Sequence, residues 1–229
     1  MNVNDFDVEI PAGDMLNTIL SHQRSLMDKY HAIEERNVGH FVPSSPCEHG
    51  PHCGPLDIQD RASQLQIKSF AWRITEEITE ATLCLLREGT DEVHYLEEIV
   101  DALHFSVELC IMSGIEIDLP NSNGDILETL FRWSGAIPLD LNDPSCQDLL
   151  RTMSYRVIEA LGDGMNRLKL KPWKTTAQLT DLEEYKKSIS RFFLAFIDFA
   201  KASGFTARTM TAMYLNKNAV NQFRIRTNY

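Results

Sequence analysis

The sequence predicts an all-α chain, and three observations carry that prediction. Apolar residues recur at helical spacing in run after run, beginning with Met15, Leu16, Ile19, Leu20, Leu26, Met27 and Tyr30. No stretch alternates with period two for long enough to make a strand. Prolines and glycines gather in short segments between the apolar runs, where they stop helices.

Taken in order, the first helix opens after Asp14, a suitable cap, and fades near Glu34 to His40. Phe41 to Pro55 holds Pro43, Pro46, Pro51 and Pro55, so it is a loop. A helix is expected from Leu56 to Glu88 with Gly89 as its stop, and another from Glu92 to Ser113 ending at Gly114. Residues 117–125 break the pattern, and a short helix runs from Ile126 to Trp133. Asp143 followed by Pro144 reads as a cap with proline in the first turn, opening a helix to about Leu168 that Gly162 and Gly164 weaken. After a break at 169–176, Thr180 and Glu183 have capping-box spacing and open a helix to Ala202. The last helix spans Phe205 to Arg226. The reading is one domain over 1–229, a helical bundle in which about 118–177 forms an inserted helical segment. The ends of the second hairpin helix and of the helix before Gly204 share a rhythm closing on Ser-Gly. Either helical hairpins are repeated or two apolar helices share an ordinary stop.

Hydrophobic residues make up 43% and charged residues 24%, the balance of a globular protein, and the net charge is −11. An acidic chain lacks the basic footprint that nucleic acid requires. A nucleotide remains compatible, because a cation can mediate contact with phosphate. No apolar run approaches the roughly 20 residues of a membrane span. The opening MNVNDFDVEI has no apolar signal core, so the expected setting is a reducing cytoplasm with no membrane association. Cys84 and Cys110, inside apolar runs, read as buried thiols. Cys47, His49, His52 and Cys53 are all zinc-ligand types, but their spacing matches no common zinc motif. A loop that happens to hold these residues, or a lid near a ligand, are the other readings.

The chemistry lies in two acidic pairs. Glu77 and Glu80, then Glu98 and Asp101, stand three residues apart on successive helices, so each pair shares roughly one helix face. A turn between Gly89 and Leu96 lets the helices run antiparallel and bring four carboxylates together. Bare, they would repel one another. Around Mg²⁺ they become the oxygen ligands that ion prefers. The plainer alternative is a solvated acidic face shared with Glu76, Glu88, Glu92 and Glu97. Near the C-terminus Lys217, Asn221 and Arg224 form one helical stripe of the residue types that hold phosphates. Gln23 sits on the largely apolar first helix, and Trp72 stands just before the first acidic pair.

Together these stretches resemble the all-α NTP pyrophosphohydrolases: the dimeric dUTPases, the phage dCTP/dUTP pyrophosphatases and the MazG proteins. The family pattern E-x-x-E, spacer, E-x-x-D is matched by Glu77 to Glu80 and Glu98 to Asp101, and the second pair continues into His104-Phe105. Tyr214, Lys217, Asn221, Arg224 and Tyr229 follow the family's C-terminal motif, with Ile225 and Asn228 departing from its usual glutamine and glycine. Gln23-Arg24 resembles the helix that helps hold the pyrimidine.

The resemblance implies Mg²⁺-dependent hydrolysis of a deoxynucleoside triphosphate to its monophosphate and pyrophosphate, with dUTP or dCTP favoured. Glu77, Glu80, Glu98 and Asp101 would hold metal, and Glu77 would act as base toward water. Lys217, Asn221, Arg224 and Tyr229 would take the phosphates, and Gln23, Trp72, His104 and Phe105 the base. It also implies a homodimer, with a tetramer left open. The alternatives are a purine or modified dNTP for the same fold, or a non-catalytic helical interaction protein. For Trp72, Phe105 and His104 the competing role is core packing, and for Gln23, Lys217 and Arg224 it is a solvated surface.

Overall fold

The computed structural model describes residues 10–38, 42, 46–86, 91–115, 124–171, 174 and 178–227. Within these lie seven helices and no strand: α1 Met15–Val38, α2 Arg61–Cys84, α3 Glu92–Met112, α4 Ile126–Trp133, α5 Pro144–Arg167, α6 Leu182–Ala202 and α7 Ala207–Thr227. Gly89, Pro43, residues 116–123, Trp173 and Tyr229 fall outside the described residues, and the expectations placed on them with them.

Side-chain caps set most of the helix starts. Asp60, Asp91, Asp125, Asp143 and Asp181 each accept a backbone N–H of the first turn, satisfying donors that have no partner inside the helix. Two expected starts move because of this. α2 begins at Arg61 and not Leu56, since Asp60 takes the Ser63 N–H at 2.7 Å while residues 57–60 turn. α6 begins at Leu182 under Asp181, not under Thr180. The Thr180 hydroxyl is buried and instead accepts from Gln64 Nε2 at 3.1 Å and the Lys169 N–H at 3.2 Å.

The helices build two hairpins. In the first, Glu77 meets Glu98 and Phe70 meets Phe105, so α2 and α3 run antiparallel. In the second, Ser188 Oγ donates to Asp163 and Arg167 reaches Glu184, so α5 and α6 do likewise. Gly164 allows the second approach, because a Cβ there would sit 2.6 Å from Ile189 Cδ1. Residues 124–171, within the segment read as an insertion, therefore supply α4 and the helix that pairs with α6.

The Ser-Gly rhythm corresponds to matched helix ends. At Ser113-Gly114 and Ser203-Gly204 the glycine adopts positive φ (62° and 98°), and the next residue's N–H returns to a carbonyl five residues back. The two ends are cross-linked reciprocally. Tyr95 near the start of α3 bonds Ser203 at 2.7 Å, and Tyr185 near the start of α6 bonds Ser113 at 2.6 Å. α3 is buried on nearly every side and forms the axis of the core. α1 and α7 pack against each other and against α3, which leaves a cleft between these helices and α2.

Cys47 and Cys53 form a disulfide, so in this structure the loop sulfurs bond to each other and not to zinc. The loop is held to α1 as well: Asp28 accepts from the His52 N–H, and Arg24 donates to the Cys53 carbonyl at 2.9 Å. Cys84 and Cys110 are buried as expected. No helix among the described residues is long and apolar enough to cross a membrane.

Candidate active site

The cleft encloses about 340 Å³ and draws its walls from four helices: Gln23, Tyr30 and Glu34 of α1, Arg73 and Glu77 of α2, Asp101, His104, Phe105 and Glu108 of α3, and Lys217, Asn221 and Arg224 of α7. At one end, carboxylate oxygens of Glu77, Glu98 and Asp101 lie within 4.8 Å of one another. Glu98 is buried, and the other two are half-buried. Helical geometry explains why the second pair contributes both members and the first pair one. Residues three apart differ by about 60° around the helix. On α3 that arc lies within the hairpin seam, whereas on α2 Glu77 faces the seam and Glu80 turns out to solvent. The Glu80 charge still bears on Glu77 and Glu98.

Three anionic groups this close cannot all ionise at ordinary cost. Burial pushes the Glu77 carboxyl up to about 8, aided by its hydrogen bond to Glu98 and by the charges of Asp101, Glu98 and Glu80. Burial also raises Glu98, against the hydrogen bond from Glu77 and the pull of His94, whose Nδ1 is 3.1 Å away. Asp101 is raised by burial despite Lys217, whose Nζ stands 2.7 Å from its Oδ2. The donor set is all oxygen and carries more negative charge than the site can hold without a proton shared between Glu77 and Glu98. A hard divalent cation fits those residues, since it would take the place of that proton.

Opposite the acids, α7 presents Lys217, Asn221 and Arg224 to the same space, as their spacing predicts. Arg73 stands over the rings of Phe70 (4.4 Å) and Phe105 (5.7 Å) and pairs with Glu34 at 2.8 Å. Arg73 was not anticipated, although its position four residues before Glu77 puts it on the same face of α2.

The far end of the cleft is polar and buried. Gln23 is 2% exposed, so it is not a surface residue. Its Nε2 donates to Glu108 at 2.8 Å, and its Oε1 accepts from the Tyr214 hydroxyl at 2.7 Å and lies 2.9 Å from His104 Nδ1. Glu108 also meets His31. His104 stacks on Tyr214 at 4.2 Å, and burial pushes its imidazole down to about 3, so the ring is neutral. Phe105 both packs on Phe70 and lines the cleft. Trp72 is not brought to the cleft of its own chain. It is 63% exposed, its indole N–H donates to Glu76, and it borders a separate groove with Ile158 and Met165. Glu108, His31 and Tyr30 were missed because their partners lie on other helices, far away in sequence.

Residues 86–229, which include α3 to α7 and the Glu98–Asp101 pair, match the family model described as dUTPase. No match was found among curated proteins or among solved structures.

Proposed function

The chain belongs to the all-α dUTPase family, and from that membership we propose that it is a Mg²⁺-dependent nucleotide hydrolase that cuts a pyrimidine deoxynucleoside triphosphate into monophosphate and pyrophosphate. The observation that carries this reading is convergence. Acids from α2 and α3 and the Lys217–Asn221–Arg224 stripe of α7, distant in sequence, line one cleft. A helical interaction protein has no need to place a repulsive acid cluster opposite a phosphate-type stripe inside a cavity.

In this reading Glu77, Glu98 and Asp101 hold the metal, with Glu80 at its rim. Bound Mg²⁺ would neutralise the triphosphate and polarise its phosphoryl oxygens. Glu77, the first acid of its pair, is assigned to accept a proton from the attacking water by resemblance to the family. Lys217 leaves Asp101 for a phosphate oxygen, Arg224 offers its fork of donors, and Asn221 adds an amide N–H. Tyr229 is assigned to the phosphates on its motif alone. Gln23, His104 and Phe105 form the base end, and we assign Trp72 to a surface role in its own chain. An exposed apolar stripe on α2, described below, supports a homodimer, and the cytoplasmic setting remains part of the proposal.

The test is a panel of dNTPs with Mg²⁺, assayed for pyrophosphate. Glu98→Gln and Asp101→Asn are expected to lower turnover by roughly a hundredfold or more. Mg²⁺ with nucleotide should raise the melting temperature of the wild type and not of the variants. Unchanged turnover in both variants would leave the acids as surface decoration.

A further inference from the structure

We propose that a groove beyond Arg224 is a second anion site, one that takes inorganic pyrophosphate as it leaves the cleft; its assignment to a leaving product rests on the hydrolase reading above. The groove encloses about 640 Å³ along the seam of α1 and α7. Lys29, Ile33, Arg36 and Ile225 line it, and Tyr30 and Arg224 line both it and the cleft.

Its place follows from the direction of the two helices. Tyr214 and Asn218 meet α1 at Gln23 and His22, and Gln222 accepts from Lys29 further on, so α1 and α7 run parallel. Along this seam Gln23 and Tyr214 come first, then Lys217 and Asn221, then Tyr30 and Arg224, with Arg36 past them all. Arg224 stands ten residues after Tyr214, about 15 Å along the axis. A nucleotide with its base at Gln23 and its phosphates on the Lys217–Asn221–Arg224 stripe therefore points its terminal phosphates at the groove.

The charge there runs against the rest of the molecule. The chain has 33 acidic and 22 basic residues, yet Lys29, Arg36 and Arg224 line the groove with no carboxylate beside them. Among the described residues neither Lys29 nor Arg36 forms an ion pair. Lys29 gives one donor to Gln222, and Arg36 gives its Nε to the Ala32 carbonyl at 3.1 Å. The remaining ammonium hydrogens and the guanidinium fork are left for a ligand. Cations gathered on one groove concentrate anions there. Tyr30 is the one ring on its walls and is shared with the cleft, so a base has no stacking face of its own and a polyphosphate without a nucleoside fits best. Lys29 and Arg36 are exposed, which makes the hold weak and salt-sensitive, as suits a product that must depart.

The test titrates the metal-free full chain with inorganic pyrophosphate at low salt by calorimetry, for the wild type and for Lys29→Gln combined with Arg36→Gln. Without metal, Glu77, Glu98 and Asp101 repel pyrophosphate from the acid end, so binding reports the groove. The wild type should bind with a Kd on the order of a millimolar or below, and the double variant about fivefold or more weakly, with unchanged circular dichroism. Sulfate at matched ionic strength should bind less well than pyrophosphate. Equal binding of the two would mean an adventitious ion only and overturn the inference, as would no binding by the wild type or undiminished binding by the variant. With Mg²⁺ and a dNTP that is turned over, the variant should need about fivefold more pyrophosphate for half-inhibition while its kcat/KM stays within about twofold. A loss of kcat/KM as large as the loss of inhibition would put Lys29 and Arg36 on the substrate and overturn the assignment to product. If no dNTP is turned over, the hydrolase reading falls and the calorimetry alone decides the anion site.

Discussion

A carboxylic acid that keeps its proton to about pH 8 makes Glu77 a reporter of its own surroundings. Its folded value lies above its unfolded one, so between about pH 4.5 and 8 the folded chain binds more protons than the unfolded chain. The resulting stabilisation is present at the acidic end of that window and is lost as pH rises through it. Glu98 and Asp101, raised in the same direction, add to the effect. Metal-free protein should therefore lose stability from pH 5.5 to 8.5 in urea titrations, and Mg²⁺ should restore more of it at the alkaline end. Glu77→Gln should flatten the metal-free dependence. A wild type whose stability rises with pH, or one indistinguishable from the variant, would remove the charge-crowding account of the site.

At the scale of the helix, the two hairpins share one design with different cargo. Tyr95 and Ser113 on α3 have counterparts in Tyr185 and Ser203 on α6, and each tyrosine bonds the other helix's serine. The seam that holds Glu77, Glu98 and Asp101 in the first hairpin holds Asp163, Ser188 and Arg191 in the second. There Asp163 is kept ionised below its usual range by Ser188 and by the charges of Arg167 and Arg191, so that seam needs no cation. Tyr95→Phe and Tyr185→Phe should each cost about 1 kcal/mol in chemical denaturation. Their effects should be additive, because the two bonds share no atom. What was legible in the sequence follows the same line. Acid pairs and the α7 stripe could be read because i, i+3 and i+4 spacing is a property of one helix. Turning Glu80 outward, swapping Thr180 for Asp181 as a cap, and seating Glu108 against His31 and Gln23 all depend on which helix packs where, and no local pattern carries that.

For the whole molecule, the unresolved physical demand is an apolar stripe left in water. Leu65, Trp72 and Leu83 share one face of α2, Leu86 follows just past its end, and all four are exposed, Trp72 the most at 63%. Scattered apolar residues on a surface are ordinary, but large exposed ones that share one face of a long helix, here interrupted by Glu76 and Thr79, are candidates for an interaction site. A second copy can dock there only if the desolvated apolar contact outweighs the repulsion between two chains of net charge −11. Light scattering on the purified protein should then give the mass of two chains or a multiple of two. Trp72→Glu with Leu83→Glu should shift it to one chain, while both residues, lying outside the cleft, leave the fold's circular dichroism unchanged. Raising the salt should strengthen the wild-type assembly by screening like charges, the opposite of what an interface held by ion pairs would do. A monodisperse single chain at micromolar concentration, in low and high salt alike, would mean that the stripe is left to water and that the dimer belongs to relatives and not to this protein.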